Sequence, residues 1–262
     1  MSNLATAWSE EKASLDDSRK MASFRGIFPG AFTMGNMLCG FFSILSAHNN
    51  EPARAAWFVI LAGFLDAMDG KVARLSKGTS QFGKELDSLA DIVSFGLAPA
   101  FLVWTAVLVN FDRWGFMIGG VYLMAGAFRL ARYNVVSDPH TKSHFVGLPI
   151  PVAAITICSY VILCMSQFKE IMYPEFVVSM VIACSALMVS NVIYDSIPER
   201  FDRRENRWRM AFIFVFLVAV LIKPRLMLFP FLAGYVLYGV VREGFRVMNN
   251  TRRNSRDKNH VE

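Results

Sequence analysis

Long stretches without Asp, Glu, Lys or Arg constrain this chain more than any other feature of its sequence. They cover Gly26–Asn50, Ile92–Phe111, Phe145–Phe168 and Phe176–Tyr194. A helix needs about 20 mainly apolar residues to cross a hydrocarbon core of roughly 30 Å, and each stretch is about that long. Charged residues make up 18% of the chain, whereas a soluble domain has roughly a quarter. The sequence therefore predicts an all-α, polytopic transmembrane helical bundle.

Eight hydrophobic segments are predicted to form the membrane helices of this bundle. They span residues 28–48, 54–75, 88–111, 113–134, 146–167, 174–195, 209–223 and 225–246. Only the short sequence KPR separates the last two, so whether they are two full spans is left open. We divide the chain into three parts. These are a polar segment 1–25, which is a surface helix or a disordered tail, a transmembrane domain 26–247, and a basic C-terminal tail 248–262.

Lysine and arginine are distributed unevenly between alternate connections of the eight segments. One side of the membrane receives 22 of the 27 basic residues, including those near both termini and those between the second and third segments. The positive-inside rule predicts that this side is cytoplasmic. Basic loops that face an anionic leaflet also account for the net charge of +6 without a nucleic acid partner.

Four aspartates lie in two pairs around the predicted connection between the second and third segments. Asp66 and Asp69 are three residues apart, and Asp87 and Asp91 are four apart, so each pair lies on one face of its helix. An isolated aspartate at a helix end is often only a cap or a solvated charge. Four that converge would repel one another unless cations lay between them. Hard oxygen ligands suit Mg²⁺ or Mn²⁺, and two ions are the expected number.

The spacing of these residues resembles the signature of the CDP-alcohol phosphotransferase family, D-x2-D-G-x2-A-R-x8-G-x3-D-x3-D. The matching positions are Asp66, Asp69, Gly70, Ala73, Arg74, Gly83, Asp87 and Asp91. Members of this family are integral membrane enzymes with six core helices, and they form homodimers. They transfer a phosphate-containing group from a CDP-linked donor to an alcohol and release CMP. The resemblance implies the same reaction class, and a homodimer, for this chain.

Further stretches narrow the resemblance to one branch of the family. Residues 32–44, 86–100, 128–134 and 146–154 are similar to those of bacterial and archaeal membrane-type phosphatidylserine synthases. This similarity implies transfer of the phosphatidyl group from CDP-diacylglycerol to L-serine in a bacterial or archaeal cytoplasmic membrane. The alternative acceptors are glycerol 3-phosphate and inositol phosphate. A more distant alternative is an ion-coupled transporter, since carboxylates within membranes often mark ion paths.

The resemblance also implies roles for individual residues. The expected metal ligands are Asp66, Asp69, Asp87 and Asp91, and Asp91 is in addition the expected catalytic base. The expected CDP-diacylglycerol-binding residues are Gly70, Ala73, Arg74, Ser80 and Asn36. A cation is expected near the carboxylate of serine, and the candidate serine-binding residues at the end of the fourth segment are Arg129, Arg132 and Asn134. The two arginines could equally be positive-inside anchors.

Overall fold

The computed structural model describes residues 30–75, 81–136, 145–194 and 222–258, which form a bundle of helices. The helices are α1 (Gly30–His48), α2 (Pro52–Leu75), α3 (Gln81–Asp91), α4 (Ala98–Ala106), α5 (Asp112–Val136), α6 (Ile150–Gln167), α7 (Pro174–Val189) and α8 (Pro224–Lys258). A π-helical turn, Ile92–Leu97, joins α3 to α4 without a break. Two short strands, β1 (Phe145–Val146) and β2 (Ile193–Tyr194), pair antiparallel. The predicted all-α, polytopic bundle is confirmed.

Within the described residues, five helices are long and apolar enough to cross a membrane. They are Gly30–His48, Phe82–Ala106, Leu108–Val135, Ile150–Gln167 and Pro224–Arg246. Helix α7 is apolar but shorter, and α2 has 24 residues, which corresponds to about 36 Å of helix. The predicted seventh segment, 209–223, lies almost wholly outside the described residues, as does the N-terminal segment 1–25.

The structure corrects both ends of the third predicted segment. The third segment begins at Gln81 rather than at residue 88, because the first turns of α3 are polar on one face and therefore lack an apolar run. It ends at Ala106, and a 3-10 turn, Leu108–Phe111, leads into α5. The eighth predicted segment, 225–246, agrees with the apolar span Pro224–Arg246, and its helix α8 continues to Lys258.

Small side chains allow close packing at the centre of the bundle. Helix α2 packs extensively against α6, and Ala55, Ala56 and Ala62 of α2 are fully buried. At Gly63 an added Cβ would lie 2.7 Å from the Ile155 side chain, so the absence of a side chain brings the two helices together. Between membrane helices, where lipid competes for apolar surface, such close backbone approach is a main source of association.

Several connections meet at one end of the bundle. A hydrogen bond joins the start of α1 to the end of α2, and another joins α3 to the end of α5. The β1–β2 pair and the backbone bond from Leu148 N to Leu187 O, 3.0 Å long, connect the start of α6 to the end of α7. We call this the site end of the bundle, because all four aspartates lie there.

Candidate active site

Three carboxylates from two neighbouring helices converge at the site end. Asp66 lies on α2, and Asp87 and Asp91 lie one turn apart on α3, so that ligand oxygens of all three are within 4.8 Å of one another. Two oxygens bound to the same Mg²⁺ are at most about 4.2 Å apart, so small side-chain rotations are enough for joint coordination. The sequence spacing correctly predicted that the two helices bring these residues together.

Asp69 lies beside this cluster and has a different set of contacts. Its side chain is buried, and one carboxylate oxygen accepts a hydrogen bond from the Thr33 hydroxyl on α1. The other oxygen, Oδ1, is buried without a hydrogen-bond partner among the described residues. Asp69 is also within electrostatic range of Asp66 and Asp87. A buried carboxylate oxygen without a hydrogen-bond donor fits the role of a metal ligand.

The electrostatics of this arrangement fit a divalent cation. Asp66, Asp87 and Asp91 converge with Asp69 beside them, Asp69 and Asp91 are buried, and within the described residues none of the four has a salt-bridge partner. Like charges at such distances repel strongly at low dielectric. Because every ligand is an oxygen, the site suits a hard ion rather than a soft one. Asp66, Asp87 and Asp91 could therefore hold a divalent metal ion together.

Helix α1 contributes polar residues that contact the aspartates. Asn36 is fully buried, and its Nδ2 donates to Asp91 Oδ1 over 3.2 Å. The hydroxyl of Ser94, in the π-helical turn just after Asp91, donates to the backbone oxygen of Asn36 over 2.8 Å. Sequence reasoning missed Thr33 and Ser94. A usable signal was present, since Thr33, Asn36 and Gly40 recur at helical spacing within an apolar run.

The three candidate serine-binding residues occupy different environments. Arg129 is buried, lies within electrostatic range of Asp91, and its Nε has no hydrogen-bond partner among the described residues. Arg132 donates to the carbonyl oxygens of Met188, Val189 and Ser190 at 3.2–3.5 Å and to the side chain of Asn191 at 3.4 Å. These carbonyls belong to the C-terminal end of α7, where a cation is stabilising.

Asn134 lies closer to the aspartates than its position at the end of α5 suggests. Its Nδ2 donates to the Ser88 hydroxyl over 2.9 Å, and Ser88 follows Asp87 directly in α3. The Ser88 hydroxyl in turn donates to the backbone oxygen of Lys84 over 3.1 Å. This chain of hydrogen bonds ties α5 to the helix that carries two of the three clustered carboxylates.

The expected donor-binding residues lie mostly outside the described part of the chain. Ser80 and the side chains of Ala73 and Arg74 are not described. Gly70 is exposed, and among the described residues an added Cβ there would meet nothing within 4 Å. Open space next to Gly70, one residue after Asp69, leaves room for a ligand close to the α2 backbone.

Comparisons with known proteins agree with this geometry. A family model of the CDP-alcohol phosphatidyltransferases matches residues 26–192, a range that includes all four aspartates. The CDP-diacylglycerol–serine O-phosphatidyltransferase of Helicobacter pylori is 34% identical over 220 residues, which cover 82% of this chain and 90% of that protein. The archaetidylserine synthase of Methanothermobacter thermautotrophicus is 36% identical over 180 residues, covering 68% of this chain and 73% of that protein.

Proposed function

The chain belongs to the CDP-alcohol phosphatidyltransferase family, and we propose that it transfers the phosphatidyl group of CDP-diacylglycerol to the hydroxyl of L-serine. The products are phosphatidylserine and CMP. Relatives that align with most of this chain carry the names of enzymes that act on serine or make the archaeal serine lipid. The single observation that carries the proposal is the cluster of Asp66, Asp87 and Asp91, because it supplies the ligands that such a transfer requires.

The aspartates of α2 and α3 would hold divalent cations. We assign two ions, Mg²⁺ or Mn²⁺, with Asp66, Asp69 and Asp87 as ligands and Asp91 completing the shell of the second. When bound, such ions neutralise the charge that develops on the leaving phosphate and polarise the phosphorus under attack. The buried, unpartnered Oδ1 of Asp69 supports its assignment as a ligand.

Asp91 removes the proton from the serine hydroxyl. As the serine oxygen forms its bond to phosphorus, the bond from phosphorus to the CMP oxygen breaks, and CMP leaves with that electron pair. The proton ends on the Asp91 carboxylate. A metal-bound carboxylate is a weak base, so a lowered pKa of the serine hydroxyl shares the task. Low exposure of Asp91, at 8%, supports this role, because the proton is then transferred away from bulk water.

The donor nucleotide occupies the open side of α2. Gly70 leaves space at the backbone, and we assign Ala73, Arg74 and Ser80 to the same surface because they follow the family signature. The fifth residue expected there, Asn36, has its described contact with Asp91 instead.

Arg129 binds the carboxylate of serine. It is buried close to Asp91, and its Nε is available for a hydrogen bond. A guanidinium matches a carboxylate in shape and charge and discriminates serine from neutral alcohols. Arg132 instead holds the C-terminal end of α7 in place through its bonds to backbone oxygens. Asn134 orients α3 through Ser88.

Substitution of the two arginines separates these roles. Arg129→Gln should raise the KM for serine roughly 10- to 100-fold, since a hydrogen bond to a charged group contributes about 1.5–3 kcal/mol. The KM for CDP-diacylglycerol should stay within about twofold of the wild-type value, as only the acceptor loses a contact. Initial-rate kinetics with each substrate varied in turn measure both constants.

Arg132→Gln is the matched control, because it removes the same charge one turn away. It should lower the free energy of unfolding by about 1–2 kcal/mol, as expected for loss of a cation at a helix C-terminus. The KM for serine should change little. Thermal unfolding in detergent measures the loss of stability. If the KM for serine rose in Arg132→Gln and not in Arg129→Gln, Arg132 would be the residue that binds serine, and Arg129 would have the structural role.

An acceptor panel tests the proposed function. Purified protein in mixed micelles with CDP-diacylglycerol and Mg²⁺ is given L-serine, glycerol 3-phosphate or inositol phosphate, and the lipid products are identified by mass spectrometry. Phosphatidylserine should form together with an equal amount of CMP, and only with serine. If glycerol 3-phosphate or inositol phosphate were consumed and serine were not, that compound would be the acceptor instead of serine. If no acceptor gave CMP, the proposed transferase activity would be refuted, and the ion-coupled transporter would become the favoured alternative.

We assign the site end of the bundle to the cytoplasmic side, together with both termini. The uneven distribution of lysine and arginine supports this orientation. The charged donor nucleotide and serine are both cytoplasmic metabolites, which is consistent with it. We also propose a homodimer, on the resemblance to the family alone, and assign no contact surface to it.

A further inference from the structure

We propose that Asn36 is a positioning residue for the transfer, which holds the Asp91 carboxylate in the orientation that removes the acceptor proton. Asn36 lies on α1, and Asp91 lies 55 positions later at the end of α3. The inference rests on the proposed function, because it assigns a step of that reaction to the orientation of Asp91. It moves Asn36 from the donor-binding residues to the residues that act through the base.

The two ends of the Asn36 amide have different surroundings. The Nδ2 end donates to Asp91 Oδ1 over 3.2 Å, whereas the buried Oδ1 end has no hydrogen-bond partner within the described residues. An asparagine kept only for packing between helices would be expected to pair at both ends. Here the paired end is the one that faces the carboxylate. This asymmetry indicates that the interaction with Asp91 is the reason for an amide at this buried position.

The contact between α1 and the π-helical turn fixes the position of Asn36. Ser94 in the turn donates its hydroxyl to the backbone oxygen of Asn36. Gly40, one turn after Asn36, packs against the same serine, and an added Cβ would lie 2.6 Å from Ser94 Oγ and 2.8 Å from Ser94 Cα. Only glycine allows this approach, since the Ser94 backbone cannot yield as a flexible side chain would. Asn36 is therefore held against the turn that follows Asp91.

The hydrogen bond meets a specific requirement of the carboxylate cluster. Asp91 faces Asp66 and Asp87, and like charges favour a rotation of its carboxylate away from them. A donor on Oδ1 opposes this rotation and leaves Oδ2 to accept the proton. A bond between a neutral donor and a carboxylate is charge-assisted and therefore strong. An amide does not titrate, so it donates at every pH at which the protein is folded.

Two substitutions remove this bond by different routes. Asn36→Leu keeps the approximate volume of the side chain and deletes the donor. Gly40→Ala leaves Asn36 intact but forces α1 away from Ser94. The matched control is Ser43→Ala on the same helix, because Ser43 is fully buried and its hydroxyl has no partner among the described residues.

The measurements are kcat, the KM for each substrate, and Mn²⁺ affinity of the substrate-free protein by calorimetry. Loss of a residue that orients a metal-ligating group typically costs about 10–100-fold in activity or metal affinity. Asn36→Leu and Gly40→Ala should therefore lower kcat or weaken Mn²⁺ binding by roughly this factor. The KM for CDP-diacylglycerol should stay within about twofold, and Ser43→Ala should behave as wild type.

Two results would overturn the proposal. A raised KM for CDP-diacylglycerol in Asn36→Leu, with unchanged kcat and Mn²⁺ affinity, would make Asn36 a donor-binding residue. If both variants had wild-type kinetics and wild-type Mn²⁺ affinity, the hydrogen bond from Asn36 to Asp91 would have only a packing role. Failure of the proposed function would look different from failure of this proposal. If the proposed function were wrong, wild-type protein would release no CMP with serine. The comparison of Mn²⁺ affinities would still report on the orientation of Asp91.

Discussion

Asp91→Asn should lower kcat by about 10³-fold or more, since a positioned general base contributes roughly 10²–10⁴-fold. The substitution keeps the shape of the side chain and removes both its negative charge and its capacity to accept a proton. Because it also relieves repulsion from Asp66 and Asp87, the variant should be at least as stable as wild type in the absence of metal. Binding of CDP-diacylglycerol should be largely retained.

Single-turnover release of CMP and thermal unfolding in detergent measure the two effects of Asp91→Asn. Asp112→Asn is a suitable control for the loss of one negative charge. Asp112 is exposed, and asparagine keeps the shape of its side chain. Activity of Asp91→Asn close to that of wild type would remove Asp91 from the mechanism, and with it the role proposed for Asn36.

Asp66→Asn should abolish turnover at low millimolar metal by a different route. Asp66 is the only member of the three-carboxylate cluster that lies on α2, so its loss leaves Asp69 as the one remaining assigned ligand on that helix. We expect Mn²⁺ affinity to fall by about 100-fold or more, the upper end of the range for changes near a metal site. Higher metal concentration should restore part of the activity.

The sign of the stability change distinguishes lost metal binding from misfolding in Asp66→Asn. In chelator the variant should unfold at or above the wild-type temperature, because one buried negative charge has been removed. When Mg²⁺ or Mn²⁺ is added, wild type should gain stability through binding, whereas Asp66→Asn should gain little. Equal stabilisation of both proteins by metal would show that Asp66 is not a ligand.

The membrane helices could be predicted because apolar length and composition determine them directly. The predicted start of the third segment was wrong because this signal is weak there. The first turns of α3 are amphipathic and form no apolar run. The π-helical turn Ile92–Leu97 could not be foreseen, since its residues contact parts of the chain far away in sequence: Ser94 lies against Gly40, and the Phe95 oxygen accepts a hydrogen bond from the Tyr122 hydroxyl.

The candidate site was predictable where it depends on local spacing. Residues four apart on α3 must share a face, and α3 follows α2 after a short connection, so a cluster with Asp66 could be expected. The contacts of Thr33 and Asn36 with Asp69 and Asp91 join residues 36 and 55 positions apart. Such long-range pairs depend on helix packing, which spacing alone does not specify. The same holds for Arg132, whose partners on α7 lie more than 50 residues away.

Release of CMP from CDP-diacylglycerol by metal-stripped protein tests the central claim most directly. The account predicts no CMP in chelator or without serine, and CMP equal to phosphatidylserine when serine and Mg²⁺ or Mn²⁺ are both restored. CMP formation that persists in chelator, or that does not depend on serine, would contradict the claim that these aspartates hold metal ions for transfer to serine.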